Sequence, residues 1–544
     1  MKRFACVLLF VCLFRFAAFA DDDTDKDHHH HEDLSETQLG TVHFPISCSA
    51  AVQKSFARGV ALLHSFWYEE AEKQFLNITH TDSHCAMAHW GIAMSLWHEL
   101  WNEPEANVIK RGLGEATDAE KLASDPALAK SATPREKAYI AAIVAFYSGS
   151  DKLDHNARAK AYSDAMKKVY EAYPDDHEAA TFYALSLLAA KEDLEHRKQA
   201  AAILEKLFAI EPYHPGVAHY LIHAYDTPQL AELGIPAARR YAQVAPAAPH
   251  ALHMPSHIFA RVGLWQDDIN SNLASIAATR KTAAMGMGGE GHQFHAMDFL
   301  VYAYLQTGHE AEAQKITDEV KAMAPMPDMN GMGTDMRLFA EGRFEASYAL
   351  ELHDWQKAAT LTPVATTDGE YKVVSLFARA LGAARVGKLD DARKDVDEIK
   401  SVAKMLRDQK KKEVADFIDR QAAEPLAWIA HAEGKDEEAI KMLGPLTDKE
   451  TDGMSTTGYL PAQEILADLL LDARRPQEAL AEYQTDLKFN PNRFNGLYGA
   501  ARAAEAAGKQ SEANEYYALL LKDCAGSNST RPELSRAREL LAKK

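Results

Sequence analysis

At four candidate helix turns in this chain a glycine is followed five residues later by an alanine: Gly308 and Ala313, Gly387 and Ala392, Gly434 and Ala439, Gly508 and Ala513. Each pair sits in a stretch with apolar residues at helical spacing, such as "FARALGAARVGKLDDARKDV". A helix that stops at a glycine and restarts at once must fold back on itself. The small residue on the returning helix lets the two pack closely. One such hairpin leaves an apolar face uncovered, so it must stack on further copies. The pattern predicts an all-α array of antiparallel helix pairs, and alternating strand patterning is almost absent. "SHIFARVGLWQDDIN" carries the turn glycine, Gly263, but Asp268 stands in the alanine place. Thr133-Pro134-Arg135-Glu136 marks a helix start, with a cap, a first-turn proline and a capping box.

The length of 544 residues, 47% of them hydrophobic, supports a large core. Residues 1–20 read as an export signal: Lys2 and Arg3, the apolar run "FACVLLFVCLF", then "AFA" before Asp21. The mature chain is expected to be periplasmic or secreted. No later stretch reaches the ~18 apolar residues of a membrane helix. Taking the three basic residues of the leader from the formal charge of −19 leaves −22, which argues against nucleic acid as a partner. The mature chain keeps Cys48, Cys85 and Cys524. Cys48 and Cys85 stand at the two ends of the first hairpin, and an oxidising compartment permits a disulfide between them. Residues 21–49 read as an acidic, polar tail and entry segment, disordered to about Gly40, in which His28–His31 can scavenge metal ions.

The hairpin units resemble the tetratricopeptide-repeat superfamily, with matches such as "RFNGLYGAARAAEAAGKQSEANEYYALLL", "PLAWIAHAEGKDEEAIKML" and "HAMDFLVYAYLQTGHEAEAQKI". The resemblance covers nearly all of residues 50–540 and implies a right-handed α-solenoid. It divides into partly degenerate repeats over 50–210, central repeats over 211–325 and C-terminal repeats over 326–544. "FPISCSAAVQKSFARGVALLHSFWYEEAEKQF", "CAMAHWGIAMSLW" and "HALHMPSHIFARVGLW" are similar to a group of exported bacterial proteins with this repeat. That likeness implies a fold and not a reaction.

An H-x-x-x-H pair occurs twice, as His219 and His223 and as His253 and His257, and the copies are 34 residues apart. That interval is the tetratricopeptide period, so the pairs fall at equivalent places on neighbouring helices. The repeat register aims His219, His223 and Asp226 into the concave groove from one helix. It aims His250, His253, His257 and Arg261 from the next, and His295, Asp298, Tyr302 and Gln306 from a third, with His292 just ahead. Eight of the 24 histidines fall between His214 and His295, so the cluster is local. A lone groove histidine is ordinarily a structural hydrogen-bonding residue. Three adjacent helices offering imidazole and carboxylate point instead to a transition-metal site. The expected ligands are His219, His223, Asp226, His250, His253, His257, His295 and Asp298, with Tyr302 and Arg261 as candidates to orient a substrate or donate a proton.

Zinc, iron and copper all suit this ligand set. Export and the run Met323, Met326, Met329, Met332 and Met336, with Met285 and Met287, favour copper slightly. Connector methionines that only fill gaps are the plainer alternative, and the glycines after Met285 suggest a mobile loop over the groove. No nucleophile elbow, zincin motif or phosphate-binding glycine loop is present, so any enzyme here is a metal-dependent oxidoreductase or hydrolase. The alternative is a periplasmic scaffold that binds a peptide or protein, with Glu424, Glu464, Asp468 and Arg502 in C-terminal groove positions.

Overall fold

The computed structural model describes residues 34–542 apart from 101–102, 126, 128–131, 192, 288–290, 325–334, 365–368 and 451–459. The signal segment, His28–His31, and Met326, Met329 and Met332 lie outside the described residues. Among the described residues every regular element is helical. Consecutive helices pack as antiparallel pairs, beginning with Gln53–His64 against Tyr68–Thr81 and continuing to Phe494–Ala506 against Gln510–Asp523. This is an all-α, tetratricopeptide-like solenoid. Residues 106–208, where the repeat pattern is loosest, form five helices of the same kind.

Gly263, Gly308, Gly387, Gly434 and Gly508 each end a first helix with φ between +66° and +80°. Glycine has no Cβ to clash in that left-handed region. Phe66 and His353 take the same place in their hairpins at φ +52° and +51°, where a side chain is strained. The capping box at Thr133 forms, with its side chain accepting from the Glu136 amide.

Cys48 and Cys85 are joined by a disulfide with Cα atoms 5.1 Å apart, across the first hairpin. The disorder expected to about Gly40 does not extend over its last residues: Glu36–Leu39 is helical, Leu39 is buried, and the Thr41 amide donates to the Tyr213 carbonyl at 2.9 Å.

The concave side is filled rather than open. The C-terminal hairpins fold back onto the central ones. The Trp265 indole donates to the Asn492 carbonyl at 2.9 Å, and the Phe494 amide donates to Gln306 Oε1 at 2.9 Å. Between them Arg493, almost wholly buried, ion-pairs with Glu351 and Glu464 at 3.0 Å. Glu464 and Glu424 are therefore buried rather than presented along a groove. Asp468 accepts from the Tyr483 hydroxyl.

Candidate metal centre

The helix Pro215–Tyr225 carries His219 and His223 on one face. The next unit departs from the expected single helix. Pro255 has no amide hydrogen to continue the ladder, so the chain forms Pro249–His253 and then Pro255–Arg261, with Met254 between. His253 ends one helix and His257 lies in the other. The helix His292–Gln306 supplies His295.

Two groups of three imidazoles result, His253 with His257 and His295, and His219 with His223 and His250. Within each group one nitrogen per ring lies within 4.8 Å of the others. In the first, Nε2 of His257 is 3.0 Å from Nε2 of His253 and 3.2 Å from Nε2 of His295. Nitrogens ~2.0–2.1 Å from one tetrahedral ion stand ~3.3 Å apart. His253 is buried, His257 is 14% exposed and His295 faces solvent, so the triad runs from the core to the surface.

The other ring nitrogens determine where the protons sit. His257 Nδ1 lies 2.8 Å from Asp226 Oδ2. Burial alone would raise the Asp226 carboxyl, but Arg261 and His257 hold it well below the usual range. It is a carboxylate, so His257 Nδ1 is the donor. His253 Nδ1 lies 2.7 Å from Asn272 Oδ1. Asn272 cannot turn its amide round, because Nδ2 donates to the Asp268 backbone carbonyl at 3.1 Å. His253 Nδ1 is therefore also a donor. In the neutral rings both Nε2 atoms then carry lone pairs, which face each other at 3.0 Å. A shared cation, either a metal ion or a proton on one of the two rings, relieves this. Burial, then the neighbouring His295 and His257 imidazoles, push His253 well below an ordinary histidine, which disfavours a proton on that ring.

Asp226 and Asp298 stand outside both groups of three imidazoles. Asp226 uses one oxygen on His257 and the other on Arg261 at 2.8 Å. Asp298 accepts from Arg343 Nε at 2.8 Å. Arg261 is thus a support for Asp226. Tyr302 belongs to a different network, its hydroxyl receiving Arg493 Nη1 at 2.7 Å. Met287 is buried, and its carbonyl accepts from the Trp67 indole at 3.0 Å.

Sequence reasoning missed several participants. Asp268 was visible as the departure from alanine: it is fully buried, burial raises its carboxyl well above the usual range, and it accepts from Asn272 Nδ2 at 2.6 Å. His64, Glu178 and His214 form a third buried cluster that no spacing announced. Here the hydrogen bonds close without an ion. The Val217 amide donates to His214 Nδ1 at 3.2 Å, which leaves Nε2 to donate to Glu178 Oε1 at 2.9 Å. His64 Nε2 reaches Glu178 Oε2 at 2.9 Å, and its Nδ1 meets the Tyr220 hydroxyl at 2.9 Å.

No family model and no curated relative matches the chain. Solved structures that match include a human IFIT1 dimer with m7Gppp-AAAA, at 11% identity and a TM-score of 0.33. Another is a human IFIT1 dimer with PPP-AAAA, at 10% identity and a TM-score of 0.34. Each match covers 80% of this chain and 90% of that one. Likeness at this level carries no argument about this chain.

Proposed function

We propose that this protein is an exported, solenoid-forming metal-binding protein whose ion sits between His253, His257 and His295. The observation that carries the proposal is the pair of Nε2 atoms 3.0 Å apart, each on a ring whose Nδ1 is hydrogen-bonded to an oxygen. Carboxylate and amide groups behind the imidazoles are the usual means of fixing ligand tautomers at metal sites. Three neutral nitrogen donors on a site that reaches solvent at His295 leave room for a further ligand, such as water or a small oxidant. That is the basis for a metal-dependent activity.

Metal analysis of untagged protein purified without added metal tests this. About one equivalent or more of copper, zinc or iron is expected. His253→Ala with His257→Ala should remove the ion bound at this triad while the helical circular dichroism is retained. Because His253 is buried, the exposed His295→Ala variant serves as the second test and should weaken binding without loss of fold. Metal content unchanged in both variants would refute the site.

A further inference from the structure

The second triad lies against the first, and one of its rings is fixed in the same way. His219 Nδ1 donates to the His64 backbone carbonyl at 2.6 Å, which leaves its Nε2 without a proton. That Nε2 is 3.1 Å from Nε2 of His223. His219 and His250 are buried. One short helix joins the triads: Pro249–His253 contributes His250 to one and His253 to the other. Residues three apart are separated by ~4.5 Å of helix rise. Rings meet across the boundary, with centroids 6.1 Å apart for His250 and His253 and 6.4 Å for His223 and His257.

Each triad is also walled by one phenylalanine that touches all three of its imidazoles. Phe299 has centroids 5.1, 4.6 and 5.3 Å from His253, His257 and His295. Phe66 has centroids 4.4, 5.6 and 5.4 Å from His219, His223 and His250. Phe66 is the bulky residue held at φ +52° where five other hairpins use glycine. Backbone strain of this kind persists where its surroundings enforce it, and it concentrates at functional sites. Here it places a ring on the second triad.

We propose that the two triads together hold a pair of copper ions that bind dioxygen between them. This rests on the metal site proposed above. All six ligands are neutral imidazoles, and the nearby Asp226 is already paired with Arg261. With no carboxylate among the six ligands to balance charge, two monovalent ions are favoured over two divalent ones. Imidazole suits copper, and monovalent copper accepts three nitrogen donors. The redox step balances within the site. Each Cu(I) gives one electron to become Cu(II), and dioxygen takes both to become bridging peroxide. No proton or outside reductant is needed, the total charge is unchanged, and the reverse step releases dioxygen.

The test loads the whole protein with Cu(I) without oxygen, then admits air. Two coppers per chain are expected, with an intense near-ultraviolet band that disappears on deoxygenation. The oxygenated form should give no Cu(II) electron paramagnetic resonance signal, because the two spins are coupled. His219→Ala with His223→Ala should leave one copper, no such band, and an ordinary one-copper signal after oxidation. The partly exposed His223→Gln should do the same if the double variant does not fold. One copper in the unmodified protein, unaffected by change at His219 or His223, would overturn the pair and leave the first site standing. So would two coppers with independent signals and no band, or a preference for two zinc ions. An absence of any bound metal would remove both proposals.

Discussion

Asp226 holds His257 by its Nδ1 at 2.8 Å and is itself held by Arg261 through its other oxygen. The carboxylate therefore sets the tautomer of an imidazole in the proposed metal site. Asp226→Asn removes the charge that orients the ring. Affinity for the ion should fall about 10–100-fold, the usual cost of losing such a partner, with the fold intact. Competition against a calibrated chelator measures it. A loss of fold, or no change in affinity, would contradict this role.

Tyr302 should be separable from the metal chemistry. Its hydroxyl meets Arg493, which pairs with Glu351 and Glu464 in the buried seam between distant hairpins. Tyr302→Phe is expected to leave metal content and affinity unchanged. Arg493→Ala strands two buried carboxylates and should cost about 3–5 kcal/mol of stability. Denaturant titration of the two variants distinguishes these outcomes.

The cysteines make a prediction about thiol counts. In the chain from Asp21 onward, native protein should show no reactive thiol. Cys48 and Cys85 are bonded, and burial pushes the Cys524 thiol up to about 12. Denaturation without reductant should expose one thiol, and reduction should expose three. The disulfide spans 37 residues. Restricting a loop of that length in the unfolded chain stabilises the protein by about 4 kcal/mol in the chain-entropy account. Cys48→Ser with Cys85→Ser should lower stability by an amount of that order.

Acid should destabilise the metal-free protein before it reaches the ordinary carboxylate range. Burial and neighbouring imidazoles lower His219 to about 3, and burial lowers His292 to about 4, against 6.5 for a free imidazole. Between these values the unfolded chain binds more protons than the folded one, so stability rises with pH. The contribution is complete above about 6.5 and is lost as pH falls toward 4. Glu178 acts in the same direction lower down. Burial opposes its charge, but His214 and His64 hold it below the usual carboxylate range. Thermal melts from pH 4 to 7.5 should show a steady rise, and a flat profile would contradict these assignments.

The hairpins, their turns and the placing of the histidines on adjacent helices were legible in the sequence. They depend on local spacing: a glycine where the chain turns left-handed, a small residue five further on, and side chains four apart on one helix face. The partners of the groove aspartates were not. The aspartates looked like ligands because register assigns a direction and not a partner. Arg261 and Arg343 come from other helices and occupy Asp226 and Asp298. Asp268 was readable as a departure from the repeat, but its connection to His253 through Asn272 exists only once two helices pack. Filling of the groove, Arg493 reaching Tyr302 across 191 residues, and Phe66 lying on three imidazoles all depend on where distant segments meet. Such contacts carry no periodic signature, because burial and charge pairing between turns of the solenoid are settled only when the chain closes on itself.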